Sequence, residues 1–260
     1  MPRKVATVLP VVMMLWCLSG PTPARASDTV NMSVAFSPYR LGRSTTLKIR
    51  LKFGVKGAPT GIPAPVTRFD MQIPATLELI GSSLGLAVCT PAALLAGGWP
   101  GCSPNARLGL GSADIDLPLG PSPVSESARI EAEMGPPVGE DVGVLLYTEA
   151  TTPVAAQLIF PGLLLEGGGG QGLDAFVPPI PAAPGGPDVS LVSMNLSLGP
   201  EHLTYYEKVG GTTVRYHPRG ISLPAKCPSN GFRFVSKIAF QDGTAVTASS
   251  AVPCPPRRRH

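Results

Sequence analysis

The chain has 260 residues, of which 31 are proline and 30 glycine, and only 15% are charged. An interior Pro costs a helix about 3 kcal/mol and a Gly about 1 kcal/mol relative to Ala, so this composition excludes an architecture of long helices. The formal charge of +4 is small for the length and gives no support for nucleic-acid binding.

The first residues read as a secretory signal. Arg3 and Lys4 precede an apolar run from Val5 to Leu18, then Gly20-Pro21, then the small-x-small site Ala24-Arg25-Ala26. Cleavage is expected after Ala26, with 1–26 as signal peptide and Ser27 as the mature N-terminus. The apolar run is shorter than the about 20 residues a permanent span needs. Cys17 ends it, but Trp16 stands where lipidated signals carry a small residue, so an ordinary cleaved signal is expected. Cleavage removes three of the 21 basic residues and none of the 17 acidic ones, lowering the net charge from +4 to +1. Secretion, or a place on the outer face of the cell envelope, is the expected destination. The later apolar stretch from Val142 to Leu165 is broken by Glu149, Pro153 and Pro161, so it reads as strands and not as a transmembrane segment.

The first clear strand is Leu47 to Phe53, where Leu, Ile, Leu and Phe alternate with Lys48, Arg50 and Lys52. This period of two predicts one dry face and one cationic face. Phe69 to Ile73 alternates in the same way. Next comes Gly81-Ser82-Ser83-Leu84-Gly85, which matches the Gly-x-Ser-x-Gly elbow of hydrolases, with Asp188 and then His202 or His217 following in hydrolase order. The elbow needs a strand turning into a helix, and Leu86-Ala87-Val88-Cys89 is not a helix start. The bland reading, small residues in a turn, is preferred.

Four cysteines follow the signal: Cys89, Cys102, Cys227 and Cys254. An even number in an oxidising compartment implies disulfides, and spacing favours Cys89–Cys102 and Cys227–Cys254. Between the first pair, Thr90 is a helix N-cap, Pro91 a first helical position and Gly97 a stop, which predicts a short disulfide-closed helix. Trp99 in the same loop is either a stacking platform for a ligand or a cover over the disulfide. Zinc is not expected, for want of a Cys-x-x-Cys or a nearby histidine.

Asp114 and Asp116 flank Ile115, and Glu131 and Glu133 flank Ala132 within the alternating Ile130 to Met134. Each pair shares one strand face. Adjacent strands would bring four carboxylates together as a calcium site or a glycosidase acid and base; otherwise they form a solvated outer face, the preferred reading. Val142 to Tyr147 and Val154 to Phe160 are more continuously apolar and read as central strands. The Gly/Pro-rich region 166–187 reads as a surface excursion, with a strand at Leu173 to Val177, in preference to a linker. Val192 to Leu198 alternates again. Gly210-Gly211 predicts a tight hairpin between Tyr205–Val209 and Thr212–Tyr216, and Asp242-Gly243 predicts another, of two residues, with 241 facing 244. Residues 255–260 read as a disordered basic tail, able to make weak contact with anionic envelope polymers.

Together Leu84 to Pro91, Cys102-Ser103-Pro104-Asn105-Ala106-Arg107, the glycines Gly109 and Gly111, and Phe240 to Thr244 before Cys254-Pro255 resemble uncharacterised exported proteins of high-GC Gram-positive bacteria. The resemblance rests on structural cysteines and glycines. It implies a β-rich fold and no activity.

The expected fold is all-β, an antiparallel β-sandwich (Ig-like or jelly-roll-like) over 27–254 with one short disulfide-closed helix. The expected function is a secreted or envelope-associated binding or structural module without a cofactor. The alternatives are a secreted hydrolase and a calcium-dependent adhesin.

Overall fold

The computed structural model describes residues 27–57, 61–77, 83–167 and 170–255. The expected signal peptide, its cleavage site up to Ala26, Gly81-Ser82 and most of the basic tail lie outside them. The described residues form strands β1 (Ser27–Ser37), β2 (Ser44–Lys56), β3 (Val66–Pro74), β4 (Arg107–Leu117), β5 (Val124–Met134), β6 (Val142–Ala150) and β7 (Ala156–Gly167). They continue with β8 (Gly170–Phe176), β9 (Ser190–Leu198), β10 (Tyr205–Val209), β11 (Thr212–Tyr216), β12 (Ile221–Ser222), β13 (Phe232–Phe240) and β14 (Ala245–Val252). One α-helix, α1 (Pro91–Gly97), precedes β4.

Eleven of the strands lie side by side in the order β1-β2-β9-β4-β5-β6-β7-β8-β3-β13-β14, and β12 adds to β2. The pairing is antiparallel throughout. The two ends of this path approach each other, and Val34 N on β1 donates to Ser250 Oγ on β14 at 3.1 Å. The result is a nearly closed, barrel-like sheet. The expected pair of packed sheets is replaced by one sheet curving around on itself. Alternation of apolar and polar residues is common to both shapes, and closure depends on which distant strands meet.

Strand faces sort as elementary burial requires. Leu47, Ile49, Leu51 and Phe53 of β2 point inward and are buried, while Arg50 and Lys52 are exposed outside. On β13, Phe232, Phe234, Ile238 and Phe240 point inward beside Ser236, with Arg233 and Lys237 outside. Burying a side chain such as Phe232 or Phe234, both 0% exposed, contributes about 1.5–3 kcal/mol. Phe36 packs edge-on against Phe232, ring centroids 5.1 Å apart, so the β1/β13 side of the interior is filled by aromatics.

Both disulfides form as the spacing suggested, Cys89–Cys102 with Cα atoms 5.4 Å apart and Cys227–Cys254 at 5.8 Å. Thr90 Oγ1 accepts from Ala93 N at the start of α1, and Gly98 closes its end by donating to Leu94 O at 2.8 Å. The Gly210-Gly211 hairpin has the expected two-residue loop, with Val209 opposite Thr212 and both glycines at positive φ. The Asp242-Gly243 hairpin differs by one residue. Ala239 faces Ala245, leaving a three-residue loop of 241–243 with Gly243 at φ 83°. Asp242 Oδ1 accepts from Thr244 N at 2.9 Å, a turn-stabilising bond that favours the longer loop. The region 166–187 contains the end of β7, then β8, paired with β7 in the same sheet, and part of a proline-rich arm.

Candidate functional site

Opposite the aromatic side, the inward positions of the sheet carry alanine. Ala113 of β4, Ala128 of β5, Ala150 of β6, Ala156 of β7 and Ala175 of β8 all line a cavity of about 140 Å³. Five methyl groups where the other side has phenyl rings leave the lumen incompletely filled. Leu158, Phe160 and Met194 complete much of the apolar wall. A second apolar cavity of about 100 Å³ lies toward Leu84 and Ile221 and shares Leu146 with the first.

The mouth of the larger cavity is covered by the arm that joins β8 to β9. Val177 N donates to Thr67 O at 2.9 Å, Val189 N to Ile180 O at 2.8 Å and Ala182 N to Pro187 O at 2.9 Å, so the arm folds back as a small hairpin. Pro178, Pro179 and Pro181 fix φ along it and stiffen the cover.

Besides Thr67, Thr148, Asp188 and Gln241, one buried acidic side chain stands in this mostly apolar wall. Glu126 shares the inward face of β5 with Ala128 and Ile130 and is 3% exposed. Its Oε1 accepts from Val154 N at 3.3 Å. Asp188 lies at the rim and accepts from Gln241 Nε2 at 2.6 Å. Among the described residues no Lys, Arg or His lines the cavity. Glu126 precedes the alternating segment Ile130 to Met134 that marks β5 in the sequence. An acid in phase with Ala128, Ile130 and Ala132 is the signal that marks it.

A second, smaller core lies on the outer face of the barrel. The disulfide loop packs Cys89, Leu94, Cys102 and Ala106 over Leu145 and Tyr147 of β6. Cys89 N donates to Met134 O at 2.8 Å, and Tyr205 OH accepts from Gly85 N at 2.9 Å while donating to Arg107 O. This cap buries Glu131 and Glu133, both 0% exposed, beside Arg107. Apart from these contacts with Arg107, the four carboxylate oxygens and the hydroxyl of Tyr147 have no hydrogen-bond partner among the described residues.

The four carboxylates named from the sequence do not come together. β4 and β5 are neighbours, but their register sets Asp114 opposite Ser127 and Asp116 opposite Ser125, while Glu133 faces Arg107. Asp114 accepts from Ser127 Oγ at 2.8 Å and Ser193 Oγ at 2.7 Å, which hold its pKa below the usual carboxylate range. Asp116 accepts from Ser125 Oγ at 2.6 Å. The aspartates thus form a serine-bonded outer face, and the glutamates, expected to be wet, are sealed by the cap. No group of three or more His, Cys, Asp or Glu residues is placed to hold a metal among the described residues.

Trp99 is half-buried at the edge of the cap, and the Arg129 guanidinium lies 3.4 Å from its ring centroid. One face of the indole is therefore stacked on Arg129, and the ring also packs on the cap core. The hydrolase residues are engaged elsewhere. Ser83 Oγ accepts from Arg219 N at 2.6 Å, and His217 Nδ1 lies 2.8 Å from Leu203 O. Exposed His202 pairs only loosely with Glu201, at 3.6 Å, and Asp188 belongs to the lumen's mouth.

No family model, curated protein or solved structure matches this chain. The lumen's own chemistry is then the guide to function. No helix among the described residues is long and apolar enough to cross a membrane.

Proposed function

We propose that the protein is an exported binding module whose ligand is a small apolar molecule, or the hydrocarbon end of an amphiphile, held in the barrel lumen. The observation that carries this reading is the alanine-lined cavity of about 140 Å³ under the proline-rich arm. An apolar cavity of about 150 Å³ in a protein core is enough to stay dry and take up a benzene-sized ring. Each methylene moved from water into such a site contributes about 0.8 kcal/mol, against an association cost of at least about 4 kcal/mol, so a short chain binds with modest affinity. Export is supported by the signal-like first 26 residues and by the two disulfides, which persist outside the reducing cytosol. The same features accord with the resemblance to exported proteins of high-GC Gram-positive bacteria. A hydrolase is disfavoured by the partners that Ser83 and His217 already have.

The test is calorimetric titration of the purified protein with toluene, a single ring of the size the cavity holds. Saturable binding is expected. Ala156→Phe places a ring in the cavity at a half-exposed position and should weaken binding at least fivefold with little change in melting temperature. Absence of saturable binding, or an unchanged affinity in Ala156→Phe, would overturn the lumen as the binding site.

A further inference from the structure

We propose that the ligand is cationic, an amphiphile whose ammonium head pairs with Glu126 while its hydrocarbon part fills the alanine-lined cavity. This rests on the lumen reading and adds the chemistry of the head group. Glu126 is 3% exposed on the inner face of β5, among Ala128, Ile130 and Ala150. Its carboxyl group accepts one long backbone hydrogen bond, from Val154 N at 3.3 Å. Among the described residues no Lys, Arg or His forms an ion pair with it. Burying a charge without a counter-charge is unfavourable, so an acid kept on an apolar face calls for a partner from outside. The second charged residue lining the cavity, Asp188, is also acidic. An anionic head, such as a fatty-acid carboxylate, would meet like charge at the mouth. An ammonium would meet the opposite charge and donate up to three hydrogen bonds.

Calorimetric titration with octylamine, octan-1-ol and octanoate at pH 7 compares three heads on one chain. Octylammonium should bind at least tenfold more tightly than octanoate, with octanol between them. Glu126→Gln should weaken octylammonium at least tenfold and leave octanol within twofold. Octanoate binding as tightly as octylammonium, or an unchanged amine affinity in Glu126→Gln, overturns the cationic head while leaving the lumen intact. If toluene binds but none of the three does, the cationic amphiphile is overturned while the lumen stands. Should Glu126→Gln not fold, the ranking on the unmodified protein still decides, and octanoate at or above octanol overturns the proposal.

Discussion

Arg107 of β4 and Glu131 of β5 form an ion pair beneath the disulfide-closed cap, and Glu133 Oε1 lies 3.5 Å from the same guanidinium nitrogen. One cation therefore serves two carboxylates that are both 0% exposed. Both glutamates sit on the outer face of the barrel wall, and the cap alone makes that face an interior. Burial pushes the Glu133 pKa from 4.5 up to about 7, with the nearby Arg107 charge pulling the other way. The cap thus couples its own packing to a proton.

Stability should consequently fall as the pH rises from about 4.5 to about 7. A carboxyl with a raised folded pKa binds its proton more tightly folded than unfolded. Its contribution is complete below about 4.5 and lost as the pH passes about 7. The rise from 4.5 to about 7 corresponds to about 3 kcal/mol as an upper figure. Urea midpoints at pH 5.5, 7 and 8.5 measure it, and Glu133→Gln, which keeps the neutral form, should flatten the slope. A slope unchanged in that variant would assign the effect to another group.

Breaking the cap staple should cost about 3 kcal/mol, the loop-closure value for cysteines 13 residues apart. In the double variant Cys89→Ser, Cys102→Ser, Trp99 should also lose its packing, shifting tryptophan emission to longer wavelength. With Glu131 and Glu133 no longer sealed, the fall in stability between pH 4.5 and about 7 should shrink together with the stability. Chemical denaturation followed by fluorescence reads all three effects.

Tyr205→Phe tests how the cap's entry segment is held. The hydroxyl bridges Gly85 N, at 2.9 Å, and the Arg107 carbonyl within a buried site. Its removal leaves two backbone groups without that partner, and a loss of about 1–3 kcal/mol is expected in denaturant unfolding. A loss below about 0.5 kcal/mol would mean that water replaces the hydroxyl.

Two glycines should respond oppositely to alanine. A Cβ on Gly109 would run into Ser197 O, with Leu198 Cα 2.9 Å away, so the β4–β9 ladder must open and stability should drop by about 1–3 kcal/mol or more. Gly97 ends α1 with nothing within 4 Å of its would-be Cβ, so Gly97→Ala should be neutral or stabilise by up to about 1 kcal/mol. Thermal melts of the two variants side by side check the contrast.

Local rules were legible in the sequence where local forces decide. The alternation at Leu47–Phe53 marks β2, Thr90-Pro91 starts α1, and Gly210-Gly211 closes its hairpin with the expected two residues. The hairpin at Asp242-Gly243 slipped by one residue because the Asp242 side chain, and not the dipeptide alone, sets that turn. The candidate site was much less legible. Ser83, Trp99 and the acid pairs drew notice as residue types, whereas Glu126 gained its meaning from the cavity beside it.

By itself, the sequence determined which residues face the same way along each strand, where the short helix starts and stops, and which cysteines are close enough to join. These follow from side-chain period, capping and loop closure, all of which act over a few to a few tens of residues. Only the tertiary structure decided that β1 and β14 meet, that the sheet is one barrel-like wall, and that Glu131 and Glu133 are sealed under a cap. It also decided that five alanines from five strands line one cavity with a single buried acid among them. Those outcomes depend on burial between segments far apart in the chain, where volume and charge are set by every facing residue together and by no local pattern.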